Sequence, residues 1–179
     1  MSKRIILTGG PGAGKTTILE SLAQQGYRTE KDYAREIICE RLAAGLSPRP
    51  SPTVFNLESF RRNQLPYEEA GKHDLTFFER GVCESVASQC LNERITQAEA
   101  DRLMAEYRYD EPVFLLPPWE EIYTTDSERD QTYEHAIEVF EVIFEWYHRY
   151  DYGAEEIPTE FIEDRVEFVT KTLDLSDSR

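Results

Sequence analysis

The chain has 179 residues, 35 of them acidic and 20 basic, for a net charge of −15. That length fits one domain whose core needs no disulfides or metal clips, and the negative charge disfavours nucleic acid and anionic membranes as partners unless a local basic cleft intervenes. Cys39, Cys83 and Cys90 form no C-x-x-C pair, no stretch approaches the roughly 18 apolar residues of a membrane span, and Lys3-Arg4 leads into a strand rather than a signal-peptide core, so a cytoplasmic protein with a small ligand is expected.

Arg4 to Leu7 reads as a buried strand. It empties into Gly9-Gly10-Pro11-Gly12-Ala13-Gly14-Lys15-Thr16, which is G-x-x-x-x-G-K-T, followed by Thr17. Glycines allow successive N–H groups to converge on phosphate oxygens, and a helix beginning here adds its positive dipole end. A nucleoside triphosphate is therefore expected over residues 9–17. Lys15 would reach its β- and γ-phosphates, Thr16 would ligate Mg2+, and Thr17 would support the α-phosphate side. Ile18, Leu19, Leu22 and Ala23 recur at helical spacing up to Gly26, which reads as a C-cap.

Tyr27 to Thr29 is a second, short strand. Asp32 and Arg35 just beyond it are candidates for binding an acceptor, or equally a solvated helix start. Ala34, Ile37, Ile38 and Leu42 mark a helix stopped by Gly45, and the Ser-Pro-rich run 47–52 reads as a loop. Val54, Leu57, Phe60 and Leu65 predict another helix, ended or kinked by Pro66. Leu75 to Phe78 is the next buried strand, closed by Glu79-Arg80-Gly81. A carboxylate at that strand end lies at the sheet edge where open α/β folds bind ligands. Glu79 is thus a candidate to hold a Mg2+ water or to take a proton from an acceptor hydroxyl, and Arg80 to neutralise a phosphoryl group. The alternative is a helix-start acid beside a solvated arginine.

Thr96-Gln97-Ala98-Glu99 has the form of a capping box, before a helix that turns Leu103, Met104 and Tyr107 inward. Pro112 to Leu116 is a strand that Pro117-Pro118-Trp119 terminates. Thr124 to Ser127 offers capping residues for a long helix with the stripe Tyr133, Ala136, Ile137, Phe140, Ile143, Phe144 and Tyr147. Arg129, in that capped segment, stands where small-molecule kinases carry a lid arginine, or else at an exposed helix start. Gly153 to Ile157 is a last strand, and Ile162, Val166, Val169 and Leu173 define a closing helix. The three histidines lack metal-site spacing. Alternation of strands and helices predicts a three-layer α/β P-loop fold with about five parallel strands, the one ending at Glu79 beside the one ending at Thr8. Residues 1–175 are expected to form a single P-loop NTPase domain, with 176–179 frayed.

The chain resembles, over nearly its whole length, the AAA-type P-loop family grouped with the ribosylnicotinamide-kinase domain of the nicotinamide nucleotide regulator and the insect phototransduction translocation-defect protein. The resemblance is carried by residues 9–17, by Asp32-Tyr33-Ala34-Arg35-Glu36 and by Phe77-Phe78-Glu79-Arg80-Gly81. It continues through the distinctive Phe114-Leu115-Leu116-Pro117-Pro118-Trp119-Glu120-Glu121-Ile122-Tyr123, then Thr125-Asp126, Arg129 and Pro158. Glu79 and Asp32 stand where such proteins often have Asp and Glu, swaps that keep the charge and change the reach by one methylene. The resemblance implies an ATPase- or kinase-like site.

Two functions compete. The first is a Mg2+–ATP-dependent small-molecule kinase or phosphotransferase acting on a nucleoside-like or other hydroxyl acceptor, with Lys15, Glu79, Arg80 and Arg129 catalytic. The second is a regulatory ATPase or GTPase switch driven by the γ-phosphate. A Ras-like GTPase is disfavoured: the fourth strand ends in Leu-Pro-Pro-Trp rather than N-K-x-D, and Thr170-Lys171-Thr172-Leu173-Asp174 is one residue too long for T-K-x-D. GTP use by another route stays open.

Overall fold

In the computed structural model the described residues are 2–48, 51–124 and 132–175. Five parallel strands are ordered β2-β3-β1-β4-β5, with β1 Lys3–Gly9, β2 Arg28–Glu30, β3 Leu75–Glu79, β4 Asp110–Leu116 and β5 Ala154–Glu156. Helices α1 Lys15–Gln24, α2 Tyr33–Ala43, α3 Pro52–Ala70, α4 Val82–Leu91, α5 Gln97–Glu106, α6 Tyr133–Arg149 and α7 Ile162–Thr172 make the crossovers. No helix among the described residues is long and apolar enough to cross a membrane.

The period-2 alternation of strand side chains divides the core between the two faces of the sheet. Ile6, Phe78, Val113 and Leu115 pack on one face with Val82, Val86, Met104 and Tyr147. Ile5, Leu7, Phe77, Phe114 and Leu116 pack on the other with Ile18, Leu22, Val166 and Val169. Both faces of the central strands are covered, so these strands read as continuous apolar runs. Each fully buried large side chain contributes about 1.5–3 kcal/mol.

Several elements differ from the sequence expectation. Pro52 is the first residue of α3 rather than loop, a position where its missing N–H costs no hydrogen bond. The helix also runs unbroken through Pro66. Tertiary contacts on both sides of the proline hold it: the Phe60 and Tyr67 rings meet Tyr107 edge-on, and Gln64 Nε2 donates to the Tyr107 hydroxyl at 2.7 Å. The α3 stripe holds only at Phe60, which packs on the core. Val54, Leu57 and Leu65 are exposed, while Ser59 and Asn63 are buried. Helix α4, not anticipated from the pattern, buries Val82, Cys83, Ser85, Val86 and Ala87.

Thr132 caps α6 by accepting from the His135 N–H, so Thr124 is not its cap, and Thr125 to Ser127 lie outside the described residues. Its buried face is Ala136, Ile143, Trp146 and Tyr147, leaving Ile137 and Phe144 exposed. The Thr96–Glu99 capping box forms as read, and β2 starts one residue later than read. Residues 176–179 lie outside the described residues.

Candidate functional site

Strands β1 and β3 run in register, Leu7 opposite Glu79, and the Arg80 N–H donates to the Leu7 carbonyl at 3.0 Å. The glycine-rich loop and Glu79-Arg80 therefore emerge side by side from the same sheet edge. Lys15 is buried at the start of α1, and its Nζ donates to the Gly10 carbonyl at 2.6 Å and the Gly9 carbonyl at 3.3 Å. Thr16 Oγ1 lies 2.9 and 3.0 Å from the two oxygens of Glu79. Thr17 is exposed one residue on.

Glu79 is only 6% exposed. Burial raises its carboxyl pKa above the ordinary value; the Asp32 charge adds to this, and Lys15, Thr16 and Arg80 oppose it. Arg80 adopts a left-handed backbone, φ 58°, costing on the order of 1 kcal/mol for a side chain of this kind. Its guanidinium donates to the Gly9 carbonyl at 2.9 Å and approaches Asp32 at 3.7 Å. Asp32 is at once the cap of α2, accepting from the Ala34 N–H at 2.9 Å, and a wall of the site. Arg35 lines the same cavity. Arg129 lies outside the described residues.

The loop is packed from outside by parts of the chain distant in sequence. A side chain at Gly12, φ 78°, would collide with the Tyr123 ring, and one at Gly10 would collide with the Ala136 carbonyl on α6. The segment after β4 thus gains a physical role, because Trp119, Ile122 and Tyr123 cover the loop. Arg165 of α7 donates to the Ala13 carbonyl at 3.0 Å, and its guanidinium lies 5.5 Å from the Trp119 ring centre. These groups bound a cavity of about 850 Å³ that includes Lys15, Thr16, Glu79 and Arg80.

Sequence reasoning did not find Arg165. Nothing in its helical surroundings distinguishes it from a surface arginine, yet it is 2% exposed. Glu84 was also missed. Its Oε1 accepts from Thr8 Oγ1 at 2.5 Å and the Tyr147 hydroxyl at 2.9 Å, while Oε2 accepts from the Gly81 N–H at 2.8 Å. It ties β1, α4 and α6 together directly behind the loop, and burial raises its pKa. A capping-type acid at the third position of α4 was the available signal.

A family model described as an AAA domain matches residues 4–165, and the chain belongs to this family. No curated protein matches it in sequence. Among solved structures it is similar to a deoxyadenosine kinase from M. mycoides with bound dATP, at 15% identity over 96% of this chain and 99% of that one, TM-score 0.65. A thymidylate kinase from Candida albicans is 13% identical over 97% and 91%, TM-score 0.66. One from Ehrlichia chaffeensis is 14% identical over 96% and 98%, TM-score 0.61. The shared feature at these identities is the fold, a P-loop α/β architecture with a five-stranded parallel sheet.

Proposed function

We propose that the protein is an ATP-dependent phosphotransferase acting on a small, nucleoside-like hydroxyl acceptor. One observation carries this reading: the cavity over the phosphate loop adjoins a second cavity of about 430 Å³, and Asp32, Ala34, Phe55 and Arg80 line both. A γ-phosphate switch needs only the first chamber; a transferase needs a place for an acceptor beside it. Likeness in fold to nucleoside and nucleotide kinases, and the resemblance to a ribosylnicotinamide-kinase domain, support the same reading.

The residues fit a magnesium triphosphate on chemical grounds. Arg80 Nε and Arg165 Nε are buried hydrogen-bond donors without a protein acceptor among the described residues. Both arginines line the cavity that also holds Lys15. Gly9 to Thr17 would cradle the phosphates, with Lys15 exchanging its two carbonyl contacts for phosphate oxygens. Thr16 and Glu79 would hold Mg2+, which when bound neutralises charge on the phosphate oxygens. Contact of both Glu79 oxygens with the Thr16 hydroxyl favours this metal-side role over that of base. Asp32, at the shared wall, would orient the acceptor hydroxyl, and Arg80, fixed by its backbone, would meet the transferred group.

The test is ADP release by the intact protein with Mg2+–ATP across a broad panel of small alcohols. Acceptor-dependent turnover that disappears in Glu79→Gln, with ATP affinity largely kept, is the expected result. Binding of Mg2+–ATP with neither hydrolysis nor transfer would move the assignment to a nucleotide-sensing regulator.

A further inference from the structure

Helix α3 lines the second cavity with Phe55, Asn56, Ser59 and Asn63. Asn56, Ser59 and Asn63 recur at i, i+3 and i+7, so they share one face of the helix. That face lines the cavity, while Val54, Leu57 and Leu65 lie exposed elsewhere on the same helix. Directing amides and hydroxyls inward and aliphatic side chains outward costs stability, and local rules are broken in this way where a site requires it. The arrangement is also built, not loose: Ser59 and Asn63 are each 6% exposed, and Asn63 Nδ2 donates to the Ser59 carbonyl at 2.8 Å. Ser59 Oγ lies 3.1 Å from Ser85 Oγ of α4, also 6% exposed. Two hydroxyls sharing one bond between them leave one O–H to donate elsewhere.

Helices α4 and α6 bring an apolar patch to the cavity beside the polar Ser88, Asn92 and His135. Ala87 and Leu91 from α4 and Val139, Val142 and Ile143 from α6 supply the patch. The charge of the lining decides what can enter. Asp32 and Glu138 contribute carboxylates, the Glu84 carboxyl is turned to Thr8, Tyr147 and the Gly81 N–H, and the basic side chains among the described lining residues are His135, 3.3 Å from Glu138, and Arg80. Arg80 is already directed at Gly9 and Asp32. A phosphate or carboxylate on the acceptor would meet Asp32 and Glu138, with Arg80 and His135 each already beside one of these acids, and like charges at close quarters disfavour its entry.

We infer that this second cavity is the acceptor site and that it selects a hydroxyl-bearing molecule with no phosphate or carboxylate of its own. The acceptor lays an apolar or planar part on α4 and α6 and is read by the α3 stripe through Asn63 and the Ser59–Ser85 pair. The inference rests on the phosphotransferase reading above. In the transfer, the acceptor oxygen bonds to the γ-phosphorus of ATP and the bond from that phosphorus to the β,γ-bridging oxygen breaks. ADP leaves with the electron pair, and the hydroxyl proton passes by way of Asp32 to water. The cavity volume lies within the range of small-molecule pockets.

The experiment measures thermal shifts and calorimetric affinities of the full chain with Mg2+ and a nonhydrolysable ATP analogue. One arm adds the common nucleosides, sugars and polyols; the other adds the corresponding monophosphates. The analogue alone should stabilise the protein, which tests the triphosphate site separately. At least one unphosphorylated compound should then bind, its monophosphate binding at least tenfold more weakly. Asn63→Leu should weaken that acceptor tenfold or more and leave the analogue's shift intact, which also reports that the variant is folded. Ser85→Ala, a smaller change, should weaken it severalfold. The inference is overturned if monophosphates are preferred, if neither substitution changes acceptor affinity, or if the analogue binds and no unphosphorylated compound does. A missing shift with the analogue itself would instead defeat the phosphotransferase reading.

Discussion

Glu79 carries opposing demands. It is a buried carboxyl group whose pKa burial raises, so the folded state holds the proton more tightly than the unfolded chain does. Its favourable contribution is therefore complete below the ordinary carboxylate value and is lost as pH rises through the raised folded value. Glu79→Gln removes a charge that is costly to bury, and at neutral pH should raise the melting temperature of the ligand-free protein by about 2–4 °C, corresponding to roughly 1 kcal/mol. That advantage should vanish in acid, which a pH series of melting curves checks. Turnover by the same variant should fall at least a hundredfold, partly restored by added Mg2+ if Glu79 organises the metal. Lys15→Ala is simpler. Its ammonium meets loop carbonyls rather than the core, so the secondary structure should survive by circular dichroism while Mg2+–ATP affinity falls by tenfold or more.

At the scale of elements, Glu84 holds the frame behind the loop. Glu84→Ala would leave the Thr8 and Tyr147 hydroxyls and the Gly81 N–H without their acceptor, costing roughly 3 kcal/mol in total and about 6–12 °C of melting temperature. Glu84→Gln, which keeps an acceptor and two rotatable hydroxyl partners, should lose much less. A comparison of both variants by thermal denaturation checks the claim. The same scale shows what the sequence disclosed. The phosphate loop was legible because G-x-x-x-x-G-K-T specifies its own local geometry, and β1, β3 and β4 were legible because strands buried on both faces are apolar without interruption. Helix α3 was misread in part because hydrophobic periodicity assumes that the whole inward face is a core, whereas this helix divides it between core, at Phe60, Tyr67 and Ala70, and chamber, at Asn56, Ser59 and Asn63. Trp119 and Tyr123 were visible as part of a distinctive run, but their seat on Gly12 and the loop cavity depends on contacts that no local pattern encodes.

Across the whole molecule, the first loop is closed by one of the last helices. Arg165 reaches Ala13 over 152 positions of sequence, and α7 packs against α1 within the same core cluster as Ile18 and Leu22. Its guanidinium is almost fully buried, contacts a carbonyl and an aromatic ring, and has no ion pair with a carboxylate among the described residues. Desolvation is the one influence that shifts it, downward. A buried cation so placed is costly without a counter-charge and would gain most from an anion brought to the cavity. Arg165→Met keeps the length and apolar packing of the side chain while removing the charge. The ligand-free variant should melt no lower than the parent, and the stabilisation produced by Mg2+–ATP should shrink, with affinity reduced about tenfold, the equivalent of about 1.4 kcal/mol. Paired melting curves with and without the nucleotide decide the matter. An arginine that merely braces the loop would give the reverse: a lower melting temperature for the ligand-free variant and an undiminished response to the triphosphate.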